Sequence, residues 1–101
     1  MKNIVAIVNI RAFYQKHPDS KESLLTWLDV TRKAQWKNPH DVKQSFNSAD
    51  PIANSRVVFN NARNKYRLIA KINYQMQWVF ICFIGTHQEY DQTDATTVCI
   101  Y

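Results

Sequence analysis

Residues 56–86 read RVVFNNARNKYRLIAKINYQMQWVFICFIGT, and the twofold periodicity of this stretch decides the fold. Arg56–Asn60 is expected to be a short strand, Asn61–Asn64 a loop, Lys65–Tyr74 a long strand, Gln75–Gln77 a turn and Trp78–Thr86 the most buried strand. Three consecutive strands with short links make an antiparallel meander. On the long strand, alternation sets Tyr66, Leu68, Ala70, Ile72 and Tyr74 on one face and Lys65, Arg67, Ile69, Lys71 and Asn73 on the other. Side chains two residues apart on a strand are separated by about 6–7 Å, close to the spacing of successive phosphates on a nucleic-acid strand. A basic face of this kind can follow an RNA backbone.

Upstream the period changes to that of helices. Asn3–Ile7 is β-branched and apolar, the pattern of a first strand, and Asn9–His17 carries Ile10, Phe13 and Tyr14 at helical spacing before Pro18 ends it. Asp19 and Glu22 have the D-x-x-E spacing of a capping box, and Leu24, Trp27, Leu28, Thr31 and Ala34 then define an apolar stripe. Asn38-Pro39-His40-Asp41 is a second start signal, opening a short helix with Val42 and Phe46 on its apolar edge. Helices first and strands second predict an α+β architecture in a single domain over residues 1–101.

The 101-residue chain has 13 Lys+Arg against 8 Asp+Glu, a formal charge of +5. Residues 56–71 hold five basic residues (Arg56, Arg63, Lys65, Arg67, Lys71) and no acid, so this segment alone equals the net charge of the whole chain. Interleaved with Phe59 and Tyr66, such a stretch suits nucleic acid, although a solvated strand face is the simpler explanation. One glycine, Gly85, excludes P-loops and dinucleotide fingerprints, which need several. Any bound anion must be gripped by side chains. His17, His40 and His87 are too widely spaced for a metal motif, and Cys82 and Cys99 form no C-x-x-C pair, so neither metal nor cofactor is expected. Val79–Ile84, the longest apolar run, is too short to span a bilayer, and Met1–Ile10 lacks the features of a signal peptide. A cytoplasmic protein without a membrane partner is expected.

Several blocks carry a specific likeness. Arg56-Val57-Val58-Phe59-Asn60, Asn64-Lys65-Tyr66-Arg67-Leu68-Ile69, Ile72-Asn73-Tyr74 and Phe83-Ile84-Gly85-Thr86-His87-Gln88-Glu89-Tyr90-Asp91 resemble the HigB family of bacterial toxins. His17-Pro18-Asp19, Trp27, Trp36 and Phe46-Asn47-Ser48-Ala49-Asp50 have the same order and spacing as in that family, so the resemblance covers nearly the whole chain. It implies a RelE-like fold: an N-terminal strand and helices packed on a small, mostly antiparallel sheet formed by the C-terminal half, with an open concave face opposite. It further implies an mRNA interferase that acts on messages at the translating ribosome and is neutralised by a HigA-type helix-turn-helix antitoxin.

Metal-free RNA cleavage by the 2′-hydroxyl needs a general base, a general acid and positive charge at the phosphate. Arg67 is the candidate for the phosphate, since its forked donors fit one bidentately and its position resembles an arginine used by RelE-type toxins. The alternative is a surface arginine paired with Asp91 or Glu89. His87 is the acid/base candidate because a histidine both takes and gives protons near neutrality; otherwise it caps the segment that follows. Tyr90 could stack on a base or move a proton, and Asp91 could orient His87. Lys65 completes the catalytic set, while Lys71, Arg63, Arg56 and Asn64 are candidate RNA contacts, with solubility as the competing role of the cations. Three departures stand out: Asn61-Ala62-Arg63-Asn64 lacks the glycine usual in relatives, Cys82 stands where relatives often have arginine, and Asn60 where RelE has lysine. A fold that binds RNA or the ribosome without cutting is the second reading, and a sheet face that only docks the antitoxin is the third.

Overall fold

The computed structural model describes residues 1–99. In chain order it has strand β1 (Asn3–Val5), helix α1 (Ile7–Lys16), a 3-10 turn (Pro18–Ser20), α2 (Lys21–Lys33), α3 (Pro39–Ser45), β2 (Asp50–Ile52), β3 (Arg56–Asn61), β4 (Tyr66–Asn73), β5 (Trp78–Thr86) and α4 (His87–Asp91). The sheet order is β1-β5-β4-β3-β2, antiparallel throughout except for β1, which pairs parallel with β5. This is the expected α+β arrangement, with the meander as read and β5 within its expected limits.

The first half departs from the sequence reading in three places. Helix α1 begins at Ile7, because Ala6 adopts a left-handed conformation (φ 74°) that breaks the first strand early. The D-x-x-E capping box is absent: Ser20 precedes α2 without a side-chain cap, and Asp19 instead bonds Lys65 and Tyr66 across the molecule. Strand β2, which contains Pro51, was not expected; it lies at the sheet edge, where a missing N–H is tolerated. The sheet therefore also draws on the N-terminal half. By contrast α3 starts as read, with Asn38 Oδ1 accepting from the Asp41 N–H at 3.0 Å.

The helices bury one face of the sheet. Leu24, Trp27, Leu28 and Thr31 of α2 are buried along the predicted stripe, and the first three pack with Val57, Phe59, Leu68, Ala70, Ile72, Val79 and Ile81 from the strands. Ala34 lies beyond the helix, whose last residues meet the Met1 ammonium: it donates to the carbonyls of Thr31 (2.9 Å), Arg32 (3.2 Å) and Ala34, and burial lowers its pKa. The aromatic centre is Phe59, edge-on to Trp27 and Phe46 at 5.4 and 5.3 Å.

A second, smaller core occupies the other face. Val58, Ile69 and Phe83 are buried there beneath Ile52, Tyr90, Ala95 and Val98, so the middle of the expected open face is covered by the C-terminal segment. A bulge makes this possible. Ile69 pairs with Phe83 but Ala70 with Ile81, which leaves Cys82 as the extra residue and turns Phe83 and Gly85 to the outer side while Val79, Ile81 and Ile84 face the helices.

Candidate active site

The tight turn joining β3 and β4 and the junction of β5 with α4 meet at one end of the sheet. In the turn, Ala62, Arg63 and Asn64 all take positive φ (50°, 57° and 68°), a left-handed run without a glycine. Ser23 of α2 stabilises it, accepting from the Ala62 N–H and donating to Asn61 Oδ1, both at 3.1 Å. At the other side, Thr86 and Glu89 form a capping box that starts α4: Thr86 Oγ1 accepts from the Glu89 N–H and Glu89 Oε1 from the Thr86 N–H. The carboxylate of Glu89 is therefore committed to the helix start. The His87 N–H donates to the Lys65 carbonyl at 3.2 Å, joining the two loops.

Four of the predicted residues lie here in two contacting pairs. His87 Nδ1 lies 3.0 Å from Asp91 Oδ2, one helical turn on, and both side chains are more than half exposed. With Nδ1–H donated to that carboxylate, Nε2 is left for a substrate proton. Arg67 pairs across the sheet with Gly85 on one side and Asn60 on the other. Its Nη1 donates to the Asn64 carbonyl at 2.7 Å, and its Cζ lies 5.8 Å from the centroid of the Tyr90 ring. Among the described residues Arg67 forms no ion pair, so its pairing with Asp91 or Glu89 is not observed. Gly85, at a negative φ, is needed for space: a Cβ there would come within 2.5 Å of Phe83 Cζ.

The other basic residues are dispersed. Lys65 precedes β4 and leaves the alternating face, its Nζ reaching Asp19 Oδ2 at 2.6 Å. Asp19 Oδ1 accepts a second bond, 2.7 Å, from the Tyr66 hydroxyl. Hydrogen bonds from Lys65 and Tyr66 hold the Asp19 carboxyl below the usual carboxylate range, and the bonds to Asp19 raise the pKa of both Lys65 and Tyr66. Arg56, expected on an exposed RNA-contacting strand end, is instead 9% exposed and donates to the carbonyls of Asn54, Thr97 and Val98. Thr97 and Val98 lie 41 and 42 residues away, beyond the reach of any spacing argument. Lys71 is exposed on the face of Arg67 but four residues along the strand, about 13 Å away. Arg63 lines a cavity of about 490 Å³ with Asp19, Glu22, Ser23 and Trp27, and Asn64 contributes its carbonyl to Arg67. Sequence reasoning missed Asp19 as part of this end of the molecule; the His17-Pro18-Asp19 block was its only signal.

Cys82 and Cys99 also meet, the Cys99 thiol donating to Cys82 Sγ at 2.6 Å, and burial together with that bond pushes the Cys82 pKa up to about 11. Among the described residues no cluster of three or more His, Cys, Asp or Glu side chains could hold a metal ion, and no helix is long and apolar enough to cross a membrane.

Helices on one face of a five-stranded sheet, and a cationic, histidine-bearing end beside its central strands, define a small α+β protein of RelE-like type. Residues 20–93 match the HigB toxin family, described as the RelE-like toxic component of a toxin–antitoxin system, and the chain belongs to this family. It is 30% identical over 79 residues, 76% of each chain, to the mRNA interferase toxin HigB of Escherichia coli K12, and equally to the mRNA interferases HigB of Escherichia coli O157:H7 and Shigella flexneri.

Proposed function

We propose that this toxin is an mRNA interferase: a metal-independent endoribonuclease that cuts messages on the translating ribosome, acts in the cytoplasm and is neutralised by a HigA-type helix-turn-helix antitoxin. The observation that carries the reading is that the Arg67–Tyr90 and His87–Asp91 pairs lie at one sheet end, where the Lys65 carbonyl accepts from the His87 N–H. In this scheme the RNA 2′-hydroxyl attacks the adjacent phosphorus, forming a cyclic phosphate and releasing the 5′-oxygen. Nε2 of His87 exchanges the proton, and the Asp91 carboxylate fixes the ring and balances the imidazolium. Arg67 neutralises charge growing on the phosphate oxygens, and Lys65 adds a second cation. Tyr90, held under the guanidinium, presents its ring to a base or its hydroxyl to the leaving oxygen.

The test maps transcript 5′ ends after induction and repeats the cleavage with purified protein on ribosome-bound and naked message. Cleavage confined to ribosome-bound message and reduced about 100-fold or more by Arg67→Ala or His87→Ala is expected. Cleavage that survives both substitutions overturns the site. The engagement of Arg56 by backbone carbonyls and of Lys65 by Asp19 favours a second reading, a non-cleaving RNA- or ribosome-binding inhibitor of translation, which absence of new 5′ ends together with translation arrest would establish.

A further inference from the structure

We propose that Asp19 is a positioning residue for Lys65: from the 3-10 turn between the first two helices its carboxylate fixes the ammonium of Lys65, a residue whose backbone meets the start of α4, so that the cation meets a phosphate already in place. This rests on the reading that Lys65 acts on the RNA. A lysine on a turn is a poor electrostatic device by itself, because four rotatable bonds spread its charge over a wide volume. Here both ends of the residue are fixed. The Lys65 carbonyl accepts from the His87 N–H at 3.2 Å, and Nζ sits 2.6 Å from Asp19 Oδ2.

Asp19 is in turn held from behind. Its other oxygen accepts from the Tyr66 hydroxyl at 2.7 Å, and the Tyr66 ring is buried edge-on to Phe13 at 5.3 Å and against His17 at 5.2 Å. The turn itself is braced by Ser20, whose N–H and hydroxyl both donate to the His17 carbonyl. The His17-Pro18-Asp19 block thus has one product, a carboxylate aimed across the molecule at Lys65 and Tyr66. The pair is solvent-exposed, 63% for Lys65 and 48% for Asp19, so it adds little to stability, and its worth lies in placement. Asp19 also favours the charged form of the lysine, whose pKa that partner shifts upward, which suits a group that binds a phosphate and not one that takes a proton. One Nζ proton is used on Asp19, leaving two for RNA oxygens.

The experiment is a double-mutant cycle of Asp19→Asn and Lys65→Ala, read as cleavage of ribosome-bound message, with carbon NMR titration of the Lys65 Cε in the full-length protein. Asp19→Asn is expected to lower kcat at least 10-fold with KM within about twofold, to lose less than twofold more in the Lys65→Ala background, and to move the Lys65 titration to lower pH. Equal losses from Asp19→Asn in both backgrounds would make Asp19 a strut between helices and sheet and overturn the proposal. An unmoved Lys65 titration overturns it whether or not the protein cleaves RNA. Full activity of Lys65→Ala removes the underlying reading as well, whereas a disabled Lys65→Ala beside an active Asp19→Asn sinks the positioning role alone.

Discussion

Replacing Gly85 by alanine inserts one methyl group at a place where the outer face has no room. The new Cβ would stand 2.5 Å from Phe83 Cζ, 3.0 Å from Phe83 Cε1 and 3.3 Å from Glu89 Cβ. A phenyl tip on a surface would swing aside at little cost. Phe83 has no such exit, being 6% exposed and packed on Val58 and Ile69 under the C-terminal segment. Either the ring leaves its rotamer or β5 shifts against α4, and overpacking of this type costs about 1–3 kcal/mol. For a domain of this size that corresponds to a fall of roughly 5–20 °C in Tm. Urea and thermal unfolding followed by tryptophan fluorescence and far-UV circular dichroism will measure it. The cause is isolated by Phe83→Leu, which removes both clashing ring atoms: in that background Gly85→Ala should cost less than about 0.5 kcal/mol. A Gly85→Ala protein as stable as the parent, or an equal penalty in both backgrounds, would refute the steric argument and return the glycine to a conformational role.

The remaining predictions concern charge, thiols and the left-handed turn. Asp19 and Asp94 have depressed pKa values, so each contributes stability that is present above the ordinary carboxylate value of 3.8 and lost as pH falls through its folded value; Asp19→Asn should flatten the acid limb of urea midpoint against pH below about 4. Lys65 and Tyr66 are shifted upward, so their contribution holds below 10.5 and 10.0 respectively and disappears as pH rises through the higher folded values; the same variant should lose that alkaline decline. Cys82, buried and raised to about 11, should resist iodoacetamide at pH 8 while exposed Cys99 is alkylated, and mass spectrometry showing equal labelling in the native protein would contradict its placement. Ala62→Gly relieves one of three consecutive positive-φ residues and should stabilise the protein by about 0.5–1 kcal/mol, the left-handed cost of alanine exceeding the entropy cost of glycine; a lower unfolding midpoint would count against the turn geometry.

What could be read in the sequence was what depends on near neighbours. Alternation in residues 66–86 located β4 and β5 to within a residue, and the Asn38-Pro39 start of α3 was legible because its cap bond closes over three residues. His87 and Asp91, four apart, are likewise a local pair. The errors arose where a distant partner outbid a local one. Asp19 had a capping role available three residues ahead yet bonds residues 46 and 47 positions away, and Arg56, one of five cations in a run, is drawn to carbonyls of the C-terminal segment. The bulge at Cys82 was invisible for a further reason: a run of apolar residues looks the same whether its alternation is kept or shifted by one, so nothing marked Phe83 and Gly85 as facing outward.

The parallel pairing of β1 with β5 governs when this molecule can exist as a folded object. Asn3 waits for Trp78, a partner 75 positions later, and the helices between them cannot settle on a sheet whose central strands have not yet been made. Closure of so distant a contact comes late in folding, after loop entropy has been overcome for nearly the whole chain. During vectorial synthesis β1 therefore stays unpaired until β5 has emerged, and His87–Asp91 follows β5 directly. A chain interrupted anywhere before β5 lacks both the partner of its first strand and the His87–Asp91 pair, so an incomplete product has neither the closed sheet nor the proposed site.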